Sequence, residues 1–245
     1  MKLWIDCITE VIYPSNIYCL SCGNLIDKTR PYALCDDCLL NMNWANQRTC
    51  DKCGKILRSG YYLDLCIDCS EITHVFEKGF ASVEYGRVER EMIHNLKYKD
   101  KPYFGRKIAQ IMFDRIEPEG LKVDLLIPVP MNKKKERKRG YNQAEILAHS
   151  LAKLMALPYV KGLIRDFDTE AMSHLGAEDR RENIKGAFSV KKGFDKRIKG
   201  KKILLIDDVF TTGSTVDECA EVLLAAGADK IYVMVFAAGA NLPSH

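Results

Sequence analysis

The stretch Ile203-Leu204-Leu205-Ile206-Asp207-Asp208-Val209-Phe210-Thr211-Thr212-Gly213-Ser214-Thr215 decides the fold of this 245-residue chain. Its four leading apolar residues predict a buried parallel strand. Asp207 and Asp208 come next, and open α/β sheets bind their ligands at the carboxyl ends of such strands. The small residues from Thr211 to Thr215 predict a tight loop that opens a helix, where backbone N–H groups and the helix dipole favour an anion. A phosphorylated sugar carries hydroxyls and a phosphate at this separation.

Two interpretations of this stretch compete. A strand that ends in acids and a Thr or Ser that caps a helix are each common without any ligand. In this order, however, they resemble the motif with which type I phosphoribosyltransferases bind phosphoribosyl pyrophosphate (PRPP). The resemblance implies that Asp207 and Asp208 are the catalytic pair and bind the ribose hydroxyls. It also implies that the 5′-phosphate is held by Thr211, Thr212, Gly213, Ser214 and Thr215, which we call the phosphate loop.

The composition is that of an ordinary globular protein. Hydrophobic residues make up 47% of the chain and the net charge is +4, so nothing indicates bulk disorder. No apolar run is long enough to span a bilayer. The first fifteen residues lack the basic start and the cleavage site of a signal peptide. We therefore expect a cytoplasmic protein with no membrane insertion.

Cysteine spacing predicts two zinc sites. Eight of the ten cysteines form four Cys-x-x-Cys pairs, and twelve residues separate the pairs within each of two successive units. A reducing cytoplasm disfavours disulfides, and two such pairs complete a tetrahedral zinc site that leaves no position open for catalysis. We expect two structural Zn²⁺ ions, each bound by the four cysteines of one ribbon. In the cross-braced alternative, each ion would take cysteines from both units. The predicted ligands are Cys19, Cys22, Cys35 and Cys38 in the first ribbon and Cys50, Cys53, Cys66 and Cys69 in the second.

The role of the ribbons stays open between two alternatives. Zinc can replace a hydrophobic core that such short segments cannot build. The ribbons can also bind nucleic acid or protein. The aromatic residues near the ribbons are Trp44, Tyr61 and Tyr62. Their side chains can either stack on bases or pack against the metal knuckles.

A basic stretch follows a second predicted strand, at 123–127. Pro128-Val129-Pro130 ends that strand, and the run Lys133–Arg139 leads into Arg139-Gly140-Tyr141-Asn142-Gln143, which opens a helix. Three interpretations of the basic run remain open. It is a solvated loop, a contact to a nucleic-acid backbone or, as the resemblance to type I phosphoribosyltransferases implies, a contact to pyrophosphate. We favour the last one for Arg139 alone, because a guanidinium can bind a phosphate through two parallel hydrogen bonds.

Taken together, these motifs resemble the ComF/GntX family, which joins an N-terminal zinc module to a phosphoribosyltransferase domain. The resemblance also includes Leu96-Lys97-Tyr98 and the segment 180–188, so that it covers nearly the whole chain. It implies a double zinc-ribbon module in residues 1–72. It implies, in residues 73–245, an α/β domain with the type I phosphoribosyltransferase fold: a parallel sheet flanked by helices, with a small hood that starts near residue 73.

The resemblance carries functional expectations as well. PRPP would bind together with Mg²⁺, and its pyrophosphate would contact Pro128, Val129, Pro130 and Arg139. ComF relatives are tied to natural transformation, which implies single-stranded DNA and a ComFA-like helicase as partners. The alternative function is an active phosphoribosyltransferase with an unidentified nitrogen acceptor. Relatives carry a Pro-Gln pair in a mobile flap where this chain has Ala171 and Met172, and this departure puts the acceptor contacts in question.

Overall fold

The computed structural model describes residues 17–98, 101–167 and 182–241. The described α-helices and β-strands are, in chain order, α1 (Asp36–Leu40), α2 (Ile67–Glu71), β1 (Lys78–Glu84), α3 (Arg87–Tyr98), α4 (Lys101–Ile116), β2 (Leu125–Pro128), α5 (Lys133–Arg139), α6 (Gln143–Leu154), β3 (Leu163–Arg165), β4 (Phe188–Val190), α7 (Asp195–Ile198), β5 (Lys202–Phe210), α8 (Ser214–Ala225) and β6 (Lys230–Ala238). No helix in the described ranges has the length and apolar character needed to cross a membrane.

Four parallel strands form the central sheet in the order β1-β6-β5-β2. Alternate residues of β5 face opposite sides, so that Leu204 and Ile206 join one hydrophobic core while Ile203 and Leu205 join the other. Helices α4 and α6 cover the first side, and α8 covers the second side. Cys219 of α8 is fully buried there. This arrangement confirms the predicted parallel sheet flanked by helices.

Strand β5 is longer than its apolar run. The apolar run at 203–206 predicts a strand with the acids at its carboxyl end, but β5 continues to Phe210 because it stays paired with β6 as far as Ala238. On the other side, β2 stops at Pro128, opposite Ile206. Asp207 and Asp208 therefore lie within β5, at the point where the neighbouring strand β2 has ended.

The segment that follows the ribbons joins the central sheet. Lys78–Glu84 is the edge strand β1, which pairs in parallel with β6 and has its five central residues buried. Burial on both faces explains its apolar sequence. A separate antiparallel pair is formed by β3 and β4. Ala171 and Met172 lie outside the described residues.

The two zinc ribbons extend the two cores of the sheet. Leu20 and Leu34 of the first ribbon pack into the core that contains α4 and α6. Leu57 of the second ribbon packs into the core that contains α8. Each ribbon thus contributes apolar side chains to a different face of the central sheet.

Candidate functional site

Each predicted set of four cysteines converges in the structure. Within each set, the sulfur atoms all lie within 4.8 Å of one another. A tetrahedral zinc site with Zn–S bonds of about 2.3 Å has neighbouring sulfurs about 3.8 Å apart. The Sγ–Sγ distance is 3.7 Å between Cys22 and Cys35 and 3.6 Å between Cys53 and Cys66. Both sets therefore fit a four-thiolate zinc ion, and the prediction of one four-cysteine site in each ribbon is confirmed.

Matching backbone turns build the two zinc sites. In the first ribbon the N–H of Cys35 donates to Cys19 Sγ at 3.4 Å, and in the second the N–H of Cys66 donates to Cys50 Sγ at 3.2 Å. Such hydrogen bonds stabilise the thiolate form that zinc requires. The second arrangement repeats the first at the level of single atoms, as expected from the internal repeat.

The acid pair lies within β5, directly after the point where β2 ends. Asp207 Oδ1 accepts a hydrogen bond from the N–H of Asp208 at 2.8 Å. Burial of the Asp207 carboxyl, followed by the negative charge of Asp208, raises the pKa of Asp207 well above its usual range. These carboxylates can accept hydrogen bonds from a diol, and a ligand that offers such donors would relieve their mutual repulsion.

Lys97 brings a positive charge to this pair. Its Nζ lies 3.9 Å from Asp208 Oδ2, and the side chains of both residues are more than two-thirds buried. Lys97 stands near the end of α3, within the Leu96-Lys97-Tyr98 motif. The sequence indicated the motif, but periodicity alone could not show that α3 ends next to β5.

The phosphate loop connects β5 to α8. Gly213 has a φ of +83°, and α8 begins at Ser214 without a side-chain cap. The Thr212 and Ser214 hydroxyl oxygens are 2.9 Å apart. Because no side chain caps α8, its first N–H groups can serve an anion. A glycine is required here, because a Cβ at position 213 would lie 2.6 Å from His74 Cε1.

The turn after β2 lies beside the acid pair. Val129 N–H donates to the carbonyl of Ile206 at 2.9 Å, directly before Asp207. Asn142 Nδ2 donates to the carbonyl of Val129 at 2.8 Å. The hydroxyl of Tyr141 donates to the carbonyl of Leu96. The motif around Asn142 therefore fastens the Pro128–Pro130 turn and the end of α3 to each other.

The basic run is a helix rather than a loop. Helix α5 spans Lys133–Arg139, and Asn132 caps it by accepting hydrogen bonds from two backbone N–H groups. It ends at Gly140, whose φ is +83°. Lys, Arg and Glu have good helix propensity, so a cap and a terminator suffice to form a short helix. Arg139 is half-buried at its end, with one guanidinium nitrogen 4.0 Å from Met131 Sδ.

Among the aromatic residues near the ribbons, Trp44 packs inward and Tyr62 points outward. Trp44 donates from Nε1 to the carbonyl of Leu39 at 3.1 Å, and its ring lies 5.7 Å from that of Tyr32. Tyr62 is 88% exposed. Packing therefore accounts for Trp44, while Tyr62 is accessible for contact with another molecule.

Comparisons with known proteins match both parts of the chain. The family model described as a double zinc ribbon domain matches residues 8–70, and the one described as a phosphoribosyl transferase domain matches residues 94–243. Competence protein F of Haemophilus influenzae is 30% identical over 229 residues, which cover 89% of this chain and 95% of that protein.

Two further relatives match smaller shares of the chain. DNA utilization protein YhgH of Salmonella typhi is 27% identical over 190 residues, or 75% of this chain and 81% of that protein. Competence protein ComFC of Bacillus subtilis is 31% identical over 115 residues, or 47% of this chain and 43% of that protein. The similarity to the Haemophilus protein thus extends across both the ribbons and the sheet domain.

Proposed function

Because the chain belongs to the ComF family, in which a double zinc ribbon precedes a phosphoribosyltransferase domain, we propose that it is a PRPP-binding protein that acts in DNA uptake or in the handling of single-stranded DNA. The names of its relatives, Competence protein F and DNA utilization protein YhgH, support the second half of this proposal. The geometry at the end of β5 supports the first half.

One observation carries the PRPP assignment: an acid pair, an uncapped helix start and the turn after β2 meet at the same end of the sheet. The ribose hydroxyls would donate to Asp207 and Asp208. The 5′-phosphate would lie on the phosphate loop, where α8 begins without a side-chain cap. The pyrophosphate would lie along the turn Pro128–Pro130, with Arg139 as its guanidinium partner.

Mg²⁺ would accompany PRPP rather than occupy a site made by protein alone, since this ion favours phosphate oxygens, water and one or two carboxylates. The ion would neutralise charge on the pyrophosphate. Lys97 would keep Asp208 in place while the carboxylate binds the sugar, because the two side chains already lie within 3.9 Å.

Turnover of PRPP is the second candidate function, and the largely buried acid pair with Lys97 beside it favours this function. A nitrogen acceptor would attack C1 of the ribose, the C–N bond would form, and the C–O bond would break with its electron pair leaving on pyrophosphate. The two carboxylates would stabilise the positive charge that develops on the ribosyl ring. Release of pyrophosphate in the presence of nitrogenous bases distinguishes this function from binding alone.

PRPP binding is tested by calorimetry in the presence of Mg²⁺. We expect saturable binding by the zinc-loaded protein and no binding by the Asp207→Asn/Asp208→Asn variant. Asp229→Asn/Glu221→Gln removes two exposed acids elsewhere and is the matched control, which should bind as the wild type does. A folded, zinc-loaded wild type that does not bind PRPP would overturn the proposal.

Contact with single-stranded DNA is proposed through α5. Its exposed cations are Lys133, Lys134, Lys135, Arg137 and Lys138. Their neutralisation should weaken binding in a gel shift and reduce its salt dependence, because each phosphate contact releases counterions. The matched control neutralises a second exposed set, Lys191, Lys192, Lys196, Arg197 and Lys199. Equal loss in both variants would mean that net charge, and not α5, governs the contact.

A ComFA-like helicase is the proposed protein partner.

A further inference from the structure

His74 lies in the segment between the second ribbon and β1, yet it is 4% exposed and contacts α8. Its Nδ1 is 2.7 Å from Asp217 Oδ2. The backbone N–H of Val75 donates to Asp217 Oδ1 at 3.3 Å. Both carboxylate oxygens of Asp217 therefore interact with the segment that leaves the zinc ribbon.

Asp217 belongs to the first turn of α8, directly after the phosphate loop. Its own N–H donates to the carbonyl of Gly213 at 2.9 Å. A displacement of Asp217 would therefore move the helix turn whose N–H groups face the proposed phosphate. The contact with His74 fixes this turn relative to the second ribbon.

The imidazole ring also touches the loop itself. Its Cε1 lies 2.6 Å from the position that a Cβ on Gly213 would occupy. The ring stacks on Phe76 at a centroid distance of 4.9 Å and meets Phe210 edge-on at 5.9 Å. His74 thus fills the space beneath Gly213, between two aromatic rings.

Packing alone does not explain a histidine at this position. Its Nε2 is buried and has no hydrogen-bond partner among the described residues, and an unpaired buried nitrogen is unfavourable. A phenylalanine would fill the same space without that cost. What the imidazole adds is the contact between its Nδ1 and a buried carboxylate, and this contact holds Asp217 and the helix turn that follows the loop.

We propose that His74 is a positioning residue for the 5′-phosphate of the ligand. It acts through Asp217 and Gly213 and does not touch the ligand. The inference rests on the proposed function, in which the phosphate loop holds the 5′-phosphate of PRPP. It assigns to the segment after the second ribbon a role in the affinity of the site.

The test uses the full-length, zinc-loaded protein and three ligands: PRPP with Mg²⁺, ribose 5-phosphate, and pyrophosphate with Mg²⁺. His74→Phe keeps the aromatic packing and removes the Nδ1 contact. We expect it to weaken PRPP and ribose 5-phosphate binding roughly tenfold, in the usual range for coupling between sites, with pyrophosphate binding unchanged. His149→Phe, a histidine in ring contact with Tyr159 on another face, is the matched control and should bind all three ligands normally.

Two amide variants keep the inference testable if His74→Phe does not fold. An Asn side chain places its N–H₂ near the Nδ1 position, and a Gln side chain places it near Nε2. We expect His74→Asn to bind ribose 5-phosphate nearly as the wild type does and His74→Gln to bind it several-fold more weakly. Equal affinities of the two variants would overturn the inference.

The remaining outcomes separate this inference from the proposed function. If the wild type binds neither PRPP nor ribose 5-phosphate, the proposed function fails. If the wild type binds and His74→Phe binds equally well, only the positioning role fails. An equal loss of ribose 5-phosphate and pyrophosphate binding would indicate a general structural defect and would also overturn the positioning role.

Discussion

The two zinc ribbons share one spacing of ligands but differ in their surroundings. All four cysteines of the second ribbon are buried, whereas Cys22 of the first ribbon is exposed and Cys35 is partly exposed. The glycine after the first pair shows the same contrast. Gly23 and Gly54 have φ values of +78° and +77°, but a Cβ would meet nothing within 4 Å at Gly23 and would lie 2.8 Å from the backbone of β1 at Gly54.

The ribbons also contact different parts of the sheet domain. The first ribbon meets helices: Asn95 of α3 donates to the carbonyl of Leu20 at 2.8 Å, and the hydroxyl of Tyr32 donates to Asp114 of α4 at 2.8 Å. The second ribbon meets the end of β5, where Lys55 Nζ lies 5.8 Å from the centre of the Phe210 ring. The shared cysteine pattern determines how zinc is held, and the neighbouring elements determine what the zinc supports.

Replacing one zinc ligand in each ribbon should give the largest difference in Tm between the two ribbons. Cys66→Ser removes a buried ligand from the ribbon beside the phosphate loop, and we expect it to lower Tm by roughly 10 °C or more, since metal binding and folding are coupled. Cys22→Ser removes an exposed ligand from the other ribbon and should lower Tm by less. Zinc content and calorimetry of the two variants check this expectation. Equal changes in Tm would mean that burial does not distinguish the ribbons.

The glycine pair offers a cleaner contrast, because both residues have the same backbone conformation. Gly23→Ala should cost about 1 kcal/mol, the penalty for an L-residue with positive φ. Gly54→Ala adds a clash with the backbone of β1 and should cost about 3 kcal/mol or more. Urea titrations measure both values. A difference below about 1 kcal/mol would show that the second ribbon can move away from β1 at little cost.

Much of this organisation follows from sequence because its signals are local. Cysteine spacing specifies the two zinc sites, since a knuckle needs only four neighbouring residues. The apolar runs before Pro128 and Asp207 predict the two strands, since burial on both faces demands such a run. The order of loop and helix after Asp208 follows from the same stretch.

The remaining features depend on partners that are distant in sequence. The length of β5 is set by its pairing with β6, so the apolar run alone placed the acids at the carboxyl end of the strand. Lys97 reaches Asp208 only because α3 ends next to β5. His74 lies just after the predicted boundary between residues 72 and 73, and its contact with Asp217 spans 143 positions in the chain. No periodic pattern encodes such contacts.

The acid pair contrasts with both ribbons, because its surroundings act against the charged form of Asp207. Burial and Asp208 raise the pKa of Asp207 above its ordinary value of 3.8. Between these two values the folded chain holds a proton that the unfolded chain has lost, so the stability from this group falls as pH rises through that interval. Asp207→Asn keeps an oxygen for the N–H of Asp208 and removes the charge.

We therefore expect Asp207→Asn to raise Tm by a few degrees at neutral pH while PRPP binding is lost. The difference from wild type should shrink at acidic pH, where the wild-type carboxyl is protonated. Thermal melting from acidic to neutral pH measures this. A variant that melts below the wild type at neutral pH would indicate that the ionised carboxylate is stabilising.

The smallest expected effects concern one arginine in each ribbon. Arg48, at the start of the second ribbon, donates to the carbonyls of Tyr61 and Tyr62 at 2.6 and 2.9 Å and pairs with Asp64 at 2.6 Å. Arg30 of the first ribbon pairs with Asp36 at 2.6 Å. Both ion pairs are exposed, so the two arginines differ in the carbonyl contacts that Arg48 adds.

Exposed ion pairs contribute little, whereas hydrogen bonds that hold a loop backbone contribute more. We expect Arg48→Ala to cost about 1 kcal/mol and Arg30→Ala less than about 0.5 kcal/mol in urea titrations. High salt should leave most of the Arg48 effect in place, because its carbonyl contacts do not depend on a second charge. If salt abolishes the difference, the loop of the second ribbon is held by charge alone, and the contrast between the ribbons reduces to the buried cysteines and Gly54.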